Sequence, residues 1–208
     1  MIDAVIFDFG NVLCTFDIDI FIRDIARRTG TPPDRLASSL KRSTPLIVAY
    51  ETGLMSSDEF FERVTHQAGI TLSRSAFREA YCSIFDPIPE TFELVKGLHP
   101  HYSLGLLSNT NEWHYACAIR TMEVFPLFEA VSLSFVVKAL KPAQPMYHDI
   151  LTKLHVPAER CVYIDDVRDN VETGAGLGMH AILYTSHEAL CAALEECGVR
   201  IDYRTPPR

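Results

Sequence analysis

Acidic side chains stand at two places in the chain where an apolar run ends. Asp8 follows the run from Ala4 to Phe7, and Asp165 and Asp166 follow the run VYI, with Asn170 on the next turn. Adjacent carboxylates repel one another, so their presence predicts a positive charge nearby. Hard oxygen ligands with room for water favour Mg²⁺. Taken alone, however, Asp8 is more typical of a turn former or a helix cap.

A second group of residues has the chemistry needed to hold an anion. Ser108 and Asn109 follow the run from Leu104 to Leu107 and precede a predicted helix, an arrangement that sets a hydroxyl and free backbone N–H groups around a phosphate. A helix N-cap role explains Ser108 equally well. Lys141 supplies a point charge and Pro142 restricts the backbone beside it, although a solvated surface lysine is the default interpretation.

These candidate residues follow short apolar runs that are typical of buried parallel strands. Segments whose apolar residues have helical spacing separate the later runs, and this alternation of strand and helix patterns predicts an α/β fold with a parallel sheet covered on both faces. Because open α/β sheets bind ligands at the carboxyl ends of their strands, we expect the candidate residues to converge there. The predicted strands are residues 4–7, 103–107, 130–135, 161–164 and 181–184.

Residues 16–86 differ from the rest of the chain because they contain helical patterns and no good strand pattern. An apolar stripe from Ile18 to Ile25 predicts the first helix, and at least three more follow. An insertion after the first strand lies above the ligand-binding edge of the sheet. We therefore predict a core of residues 1–15 and 87–208, with a helical cap of residues 16–86.

Four motifs together resemble those of the haloacid dehalogenase-like hydrolase superfamily. They are FDFGNV with Asp8, LLSNT with Ser108, LKP with Lys141, and YIDDVRDN with Asp165 and Asp166. The resemblance covers essentially the whole chain and implies a Rossmann-like α/β core. The insertion is similar to the α-helical cap found in one branch of the superfamily. Within that branch, the chain most resembles sugar-phosphate phosphatases of the α-glucose-1-phosphate phosphatase type.

The resemblance implies a Mg²⁺-dependent phosphatase that acts in two steps. Asp8 would attack phosphorus in line to form an aspartyl-phosphate, which water would then hydrolyse. The implied magnesium ligands are Asp8, the backbone carbonyl of Gly10, and Asp166, with Asp165 and Asn170 in support. The implied groups that hold the transferring oxygens are Ser108, the amides around Asn109, and Lys141.

Gly10 departs from the pattern of most phosphatases in the superfamily, which have Asp two residues after the nucleophile. That Asp protonates the leaving oxygen and then activates water, and a positioned acid or base typically contributes about 10²- to 10⁴-fold. Two hypotheses follow from its absence. The substrate has a comparatively good leaving group, as a sugar 1-phosphate does, or a cap residue such as Asp17 or Asp19 donates the proton.

Two other functions remain open. A 2-haloacid dehalogenase uses a similar aspartate nucleophile and needs no acid for a halide, but it has no phosphate dianion to neutralise, so Asp165 and Asp166 would be a costly accumulation of charge. A catalytically weak protein that binds phosphorylated metabolites would also tolerate Gly10. We favour the phosphatase, with a small phosphorylated metabolite as its substrate.

Composition excludes several broad classes. The 208 residues include 19 Lys and Arg against 27 Asp and Glu, a formal charge of -8, which argues against binding to nucleic acid or to an anionic membrane. There is no apolar run of membrane-spanning length and no basic N-terminal signal, so we expect a cytoplasmic protein. The six cysteines form no CxxC pair and have apolar neighbours, so we expect reduced thiols. The sequence does not predict the oligomeric state.

Overall fold

A computed structural model describes residues 1–202, with a parallel five-stranded sheet at its centre. In chain order, the strands are β1 (Ala4–Phe7), β2 (Cys14–Phe16), β3 (Phe85–Pro87), β4 (Ser103–Ser108), β5 (Ala130–Leu133), β6 (Cys161–Asp165) and β7 (His180–Leu183). The sheet order is β5-β4-β1-β6-β7, while β2 and β3 form a separate antiparallel ribbon. The predicted α/β fold with a parallel core is confirmed. The run predicted as strand 130–135 ends at Leu133, because the chain turns there into a short helix.

Helices cover both faces of the sheet and fill the long insertion between β2 and β3. They are α1 (Ile18–Thr29), α2 (Pro33–Arg42), α3 (Thr44–Glu51), α4 (Ser57–Ala68), α5 (Arg74–Cys82), α6 (Pro89–Leu98), α7 (Glu112–His114), α8 (Ser134–Val137), α9 (Gln144–Leu154), α10 (Arg168–Gly176) and α11 (His187–Glu196). A π-helical turn, Tyr115–Ile119, continues α7. Among the described residues, none of the helices has the length and hydrophobicity needed to cross a bilayer.

The central strand β1 is buried on both faces, which fixes the position of the residue that follows it. Val5 and Phe7 pack into an apolar cluster with α6 and α11, while Ala4 and Ile6 pack on the opposite face against α9. All four side chains are fully buried, and burial of a side chain the size of Val, Ile or Phe stabilises a fold by about 1.5–3 kcal/mol. The sequence therefore places the end of β1 in a rigid setting.

The insertion, helices α1 to α5, has an apolar cluster of its own. Its centre includes the aromatic side chains of Phe60, Phe77 and Tyr81. Trp113, which lies outside the insertion in α7, also packs into this cluster. The chain enters the insertion through β2 and leaves it through β3, so the two strands of the ribbon are the connections between the core and the insertion. The predicted boundaries at residues 16 and 86 stay a prediction, and the last residues assigned to the core, 203–208, lie outside the described residues.

The expectation of six reduced thiols is wrong for two of them. Cys82, at the end of α5, forms a disulfide with Cys117 in the π-helical turn, with a Cα–Cα distance of 6.1 Å that is ordinary for such a bond. The two residues are 35 positions apart, and only the packing of the insertion on the core brings them together. The free thiols are Cys14, Cys161, Cys191 and Cys197.

Candidate active site

Asp8 lies directly beyond the central strand, at the carboxyl edge of the sheet. Phe7 pairs with Leu106 and with Ile164, so Asp8 stands level with the ends of both flanking strands. The amide of Asp8 donates to the carbonyl of Ile164 at 2.9 Å, and its Oδ1 accepts from the amide of Phe9 at 2.6 Å. Within residues 1–202, Oδ2 of Asp8 accepts no hydrogen bond, so this oxygen is available to a substrate or a metal ion.

Lys141 is buried between two of the predicted carboxylates. Its Nζ lies 2.7 Å from Oδ1 of Asp8 and 2.6 Å from Oδ2 of Asp165, and it donates to the carbonyl of Leu107 at 3.0 Å. Burial alone would lower the pKa of Lys141, but the charges of Asp8 and Asp165 outweigh it and raise that pKa. Burial raises the pKa of Asp8, against the lowering effect of Lys141. Lys141 is thus the cation that the crowded carboxylates predicted.

Asp165 is fully buried, and both of its oxygens accept hydrogen bonds. Oδ1 accepts from the amide of Val167 at 2.8 Å and from Nδ2 of Asn170 at 3.0 Å. Oδ2 accepts from Lys141 at 2.6 Å and from the hydroxyl of Tyr163. Because these donors already satisfy the carboxylate, Asp165 can hold Lys141 in place more readily than it can coordinate an ion.

Asp166 lies beside Asp8 and Asp165 and is only partly buried. Ligand oxygens of these three residues lie within 4.8 Å of one another. Nδ2 of Asn11 donates to Oδ2 of Asp166 at 2.8 Å. Three carboxylates and one lysine leave excess negative charge, and an all-oxygen donor set of this kind fits a divalent cation such as Mg²⁺.

Gly10 and Asn11 form the turn that follows Asp8. Asn11 has φ 53°, a left-handed conformation that asparagine tolerates better than most residues. This turn carries the side chain of Asn11 to Asp166. A Cβ atom added to Gly10 would lie 3.4 Å from the ring of Phe16, which is ordinary contact, so this turn has room for a side chain.

Ser108 and Asn109 stand at the end of β4, next to the central strand. The Ser108 side chain is buried. The Asn109 side chain pairs with the backbone of Lys141 in both directions: Nδ2 donates to its carbonyl at 3.1 Å, and Oδ1 accepts from its amide at 2.7 Å. This exchange fixes the loop that carries Lys141 to the end of β4. The structure therefore gathers the predicted residues at one edge of the sheet.

A cavity of about 200 Å³ extends from this edge to the insertion. Gly10, Asn109 and His114 line it from the core, and Glu51 and Tyr81 line it from the insertion. A larger cavity, about 480 Å³, lies beside the Cys82–Cys117 disulfide and contains none of the predicted site residues. The smaller cavity is therefore the candidate substrate site.

Sequence comparison matches residues 2–178 to the haloacid dehalogenase-like hydrolase family. The chain belongs to this family. The resemblance carried by the four motifs is thereby confirmed, and the protein is a haloacid dehalogenase-like hydrolase. The finer resemblance to α-glucose-1-phosphate phosphatases is not among these findings and stays a prediction.

Relatives of this hydrolase include named phosphatases and solved structures. A D-ribitol-5-phosphate phosphatase of Bacteroides thetaiotaomicron is 26% identical over 185 residues, covering 86% of this chain and 89% of the relative. A family enzyme from the same organism, solved with magnesium and inorganic phosphate, has a TM-score of 0.80 at 21% identity, covering 89% of this chain and 95% of that one. A predicted family hydrolase from Porphyromonas gingivalis has a TM-score of 0.80 at 24% identity, covering 96% and 99%.

The two residues suggested as proton donors are not among the described residues that line the cavity of this hydrolase. Asp17 caps α1, where its Oδ1 accepts from the amide of Asp19 at 2.8 Å, and its Oδ2 lies 3.3 Å from Arg23. Both aspartates are exposed. Their ordinary role at a helix start accounts for them, and neither carboxylate lines the cavity.

Sequence reasoning missed two residues that belong to the site of this hydrolase. Asn11 holds Asp166, and its position within FDFGNV was a usable signal, because asparagine at the turn after a strand often adopts positive φ. Glu51 lies on the cavity wall. The segment from Glu51 to Met55 interrupts the predicted helices, which fits a turn that faces the sheet and selects substrates as well as it fits a simple interhelical turn, but it does not indicate where the carboxylate points.

Proposed function

We propose that the protein is a Mg²⁺-dependent phosphatase that hydrolyses a small phosphorylated metabolite through an aspartyl-phosphate. One observation carries the proposal: Asp8 leaves one carboxylate oxygen free while Lys141 pairs with the other, beside the carboxylate of Asp166. The nucleophile, the fixed cation and the acidic ion site occupy one strand edge. Proteins that bind phosphate without turning it over have no need for a free buried carboxylate at that point.

The charge balance favours phosphoryl transfer over attack on carbon. Of the clustered carboxylates Asp8, Asp165 and Asp166, the first two pair with Lys141, and a phosphate dianion would add further negative charge. When bound, Mg²⁺ would neutralise the phosphoryl oxygens and the carboxylates together. Asp8, the Gly10 carbonyl and Asp166 would hold it. Asp165 would keep Lys141 in place, and Asn170 would keep Asp165 in place.

In the first step, Asp8 would attack phosphorus and the bond to the leaving oxygen would break. Ser108, the backbone amides around Asn109, and Lys141 would hold the three equatorial oxygens, where negative charge spreads in the transition state. In the second step, water would attack the aspartyl-phosphate, release inorganic phosphate and restore Asp8. Lys141 would stabilise the charge in both steps because it stays fixed between Asp8 and Asp165.

The substrate we propose is the phosphate ester of a small polyhydroxylated compound. The cavity of about 200 Å³ is below the ~300–1,000 Å³ range of drug-sized sites, which limits the organic part to a few carbons. The relative from Bacteroides thetaiotaomicron is named for a five-carbon sugar-alcohol phosphate. A sugar 1-phosphate, expected from Gly10, belongs to the same size class.

We also propose that the insertion, residues 16–86, acts as a cap. It supplies one wall of the cavity and joins the core through the β2–β3 ribbon, so rotation about the ribbon would admit substrate and then exclude water. Exclusion of water protects the transferring phosphoryl group until the metabolite has left.

The experiment is a phosphate-release assay with D-ribitol 5-phosphate, glucose 1-phosphate and p-nitrophenyl phosphate, with Mg²⁺ or with EDTA. We expect the protein to release phosphate in the presence of Mg²⁺ and not in the presence of EDTA. Asp8→Asn keeps the shape of the side chain but removes the nucleophile, so it should lower kcat by at least about 10³-fold while the circular dichroism spectrum is unchanged.

The same assay separates the alternatives. Release of halide from 2-chloropropionate in EDTA, without release of phosphate, would identify a dehalogenase. Binding of phosphate esters without turnover by folded protein would identify a binding protein. Either result, or full activity of Asp8→Asn, would contradict the proposal.

A further inference from the structure

Among residues 1–202, Glu51 is the one carboxylate that lines the cavity between the insertion and the core. It is the last residue of α3 and lines the same cavity as Gly10, the position at which most phosphatases of this family carry an acid. The cavity thus lacks an acid on the nucleophile loop but has one on the insertion.

The turn that carries Glu51 is fixed to the core at two points. The Ser134 hydroxyl donates to the carbonyl of Glu51 at 2.6 Å and also accepts from the amide of Thr110 at 2.8 Å. Nζ of Lys138 donates to the carbonyl of Gly53 at 2.6 Å. Because Thr110 lies two residues after Ser108, these bonds couple the position of Glu51 to the predicted phosphate-binding loop.

Neither of the other titratable groups on the cavity wall suits proton transfer at neutral pH. Nε2 of His114 lies 3.1 Å from the carbonyl of Tyr81, and Nδ1 lies 3.1 Å from the side-chain amide of Asn111, so both ring nitrogens are engaged. Burial lowers the pKa of His114 to about 4. Burial, together with the nearby charge of Glu51, raises the pKa of the Tyr81 phenol well above its usual range.

We propose that Glu51 is the general acid and base of the reaction, in place of the aspartate that is missing at position 10. The inference rests on the proposed phosphatase function. As Asp8 bonds to phosphorus and the bond to the ester oxygen breaks, the carboxylic acid of Glu51 gives its proton to that oxygen and the alcohol leaves. The Glu51 carboxylate then takes a proton from the attacking water, inorganic phosphate leaves, and Asp8 is restored.

The environment of Glu51 suits both halves of this cycle. Burial raises the pKa of Glu51 to about 7, and within the described part of the chain no cation or hydrogen bond lowers it. Lys138, which follows α8, is bonded to the Gly53 carbonyl, and burial keeps Tyr81 and His114, the other titratable groups on the cavity wall, neutral at pH 7. A group with a pKa near the working pH can both give and take a proton.

The test compares leaving groups in the Glu51→Gln variant. With D-ribitol 5-phosphate, whose alkoxide leaves poorly without a proton, we expect kcat/KM to fall about 10²-fold or more. With p-nitrophenyl phosphate, whose leaving group needs no proton, the first step should change less than about threefold, measured as the burst of p-nitrophenol. Equal effects on both substrates, or no effect on either, would overturn the proposal.

Two further measurements complement this comparison, and the first uses the wild-type protein, so it does not depend on how well Glu51→Gln folds. In the wild-type protein, activity on D-ribitol 5-phosphate should fall as pH rises through about 7, because the acid loses its proton there, while the p-nitrophenol burst should not. Adding Gly10→Asp to Glu51→Gln should restore activity on the alkyl ester, since a side chain at position 10 meets only ordinary contact with Phe16. The inference would be contradicted if the p-nitrophenol burst fell with rising pH as activity on D-ribitol 5-phosphate does, or if the wild type were active only on aryl esters.

Asp17→Asn is the matched control. Asp17 is an exposed carboxylate of the insertion, and asparagine preserves its N-cap role, so both substrates should react as they do with wild type. A loss confined to alkyl esters in Asp17→Asn, but absent from Glu51→Gln, would assign the acid to Asp17 and overturn our proposal. Failure of p-nitrophenyl phosphate hydrolysis in the wild type would instead refute the phosphatase function itself.

Discussion

At the scale of single residues, the site is a balance of charges in a small buried volume. Lys141 is the central member, because it bonds to Asp8 and to Asp165 and to a main-chain carbonyl at the same time. Its side chain is 1% exposed, so water cannot replace any of these partners. Removing one member of such a group leaves the others buried and unpaired.

Lys141→Met should therefore destabilise the fold by about 3–5 kcal/mol, because two buried carboxylates would lose their counter-charge. Urea unfolding at pH 7 measures the change. Lys153→Met is the control: Lys153 pairs with Asp149 at 2.6 Å but is 38% exposed, so its loss should cost less than about 1 kcal/mol. Equal losses in the two variants would show that burial of the Lys141 group carries no special energetic weight.

The residues nearest in sequence to the strand ends were the predictable ones. Asp8, Ser108 and Asp165 each end or follow an apolar run, and the parallel sheet brings such positions together without further information. Asn11 and Glu51 were not assigned, because their roles depend on contacts with distant residues. Glu51 reaches the cavity only after five helices have packed into one cluster.

At the scale of elements, the turn between α3 and α4 links the insertion to the core. Gly53 has φ +60°, and a Cβ atom there would lie 2.1 Å from the carbonyl oxygen of Phe135. Only glycine permits this approach of two backbones. The turn contacts the short helix α8. The first two residues of α8 belong to the apolar run 130–135, which predicts a strand, because an apolar run cannot distinguish a strand from the helix that follows it.

Gly53→Ala should push this turn away from α8 and move Glu51 with it. We expect kcat/KM for D-ribitol 5-phosphate to fall about tenfold or more, since small displacements of a positioned group are costly. Gly30→Ala is the control, because Gly30 also has positive φ (+70°) but its added Cβ would meet nothing within 4 Å. Both variants should lose about 1–2 kcal/mol of stability from the strained backbone. A loss of activity in both would mean that strain, and not the contact with α8, is responsible.

At the scale of the whole molecule, the apolar cluster of the insertion is connected to the two clusters on the faces of the sheet by the β2–β3 ribbon and by the Cys82–Cys117 disulfide. The disulfide could not be predicted, because its cysteines are far apart in sequence and show no recognisable spacing. Burial of a cysteine among apolar neighbours indicates only a packed side chain. Which sulfur atoms meet is decided by how the insertion packs on the core.

Thiol titration of unfolded protein, purified without reductant, should detect four of the six cysteines, and all six after reduction. Reduction should also lower stability by about 4 kcal/mol, since the bond closes a loop of 35 residues. Cys197→Ser serves as the control, because Cys197 is a free thiol and reduction should destabilise this variant as much as wild type. Detection of six reactive thiols before reduction would contradict the disulfide and support the expectation that all six cysteines are reduced.

The β2–β3 ribbon has a consequence for how such proteins diversify. The chain leaves and re-enters the core through two short strands that lie side by side, so a different helical segment can replace the insertion without altering the pairing of β1 with β4 and β6. Where the acid lies beside the nucleophile, such an exchange would leave the acid in place. With Glu51 as the acid, replacing the insertion would change the proton donor and the substrate-binding wall of the cavity at the same time.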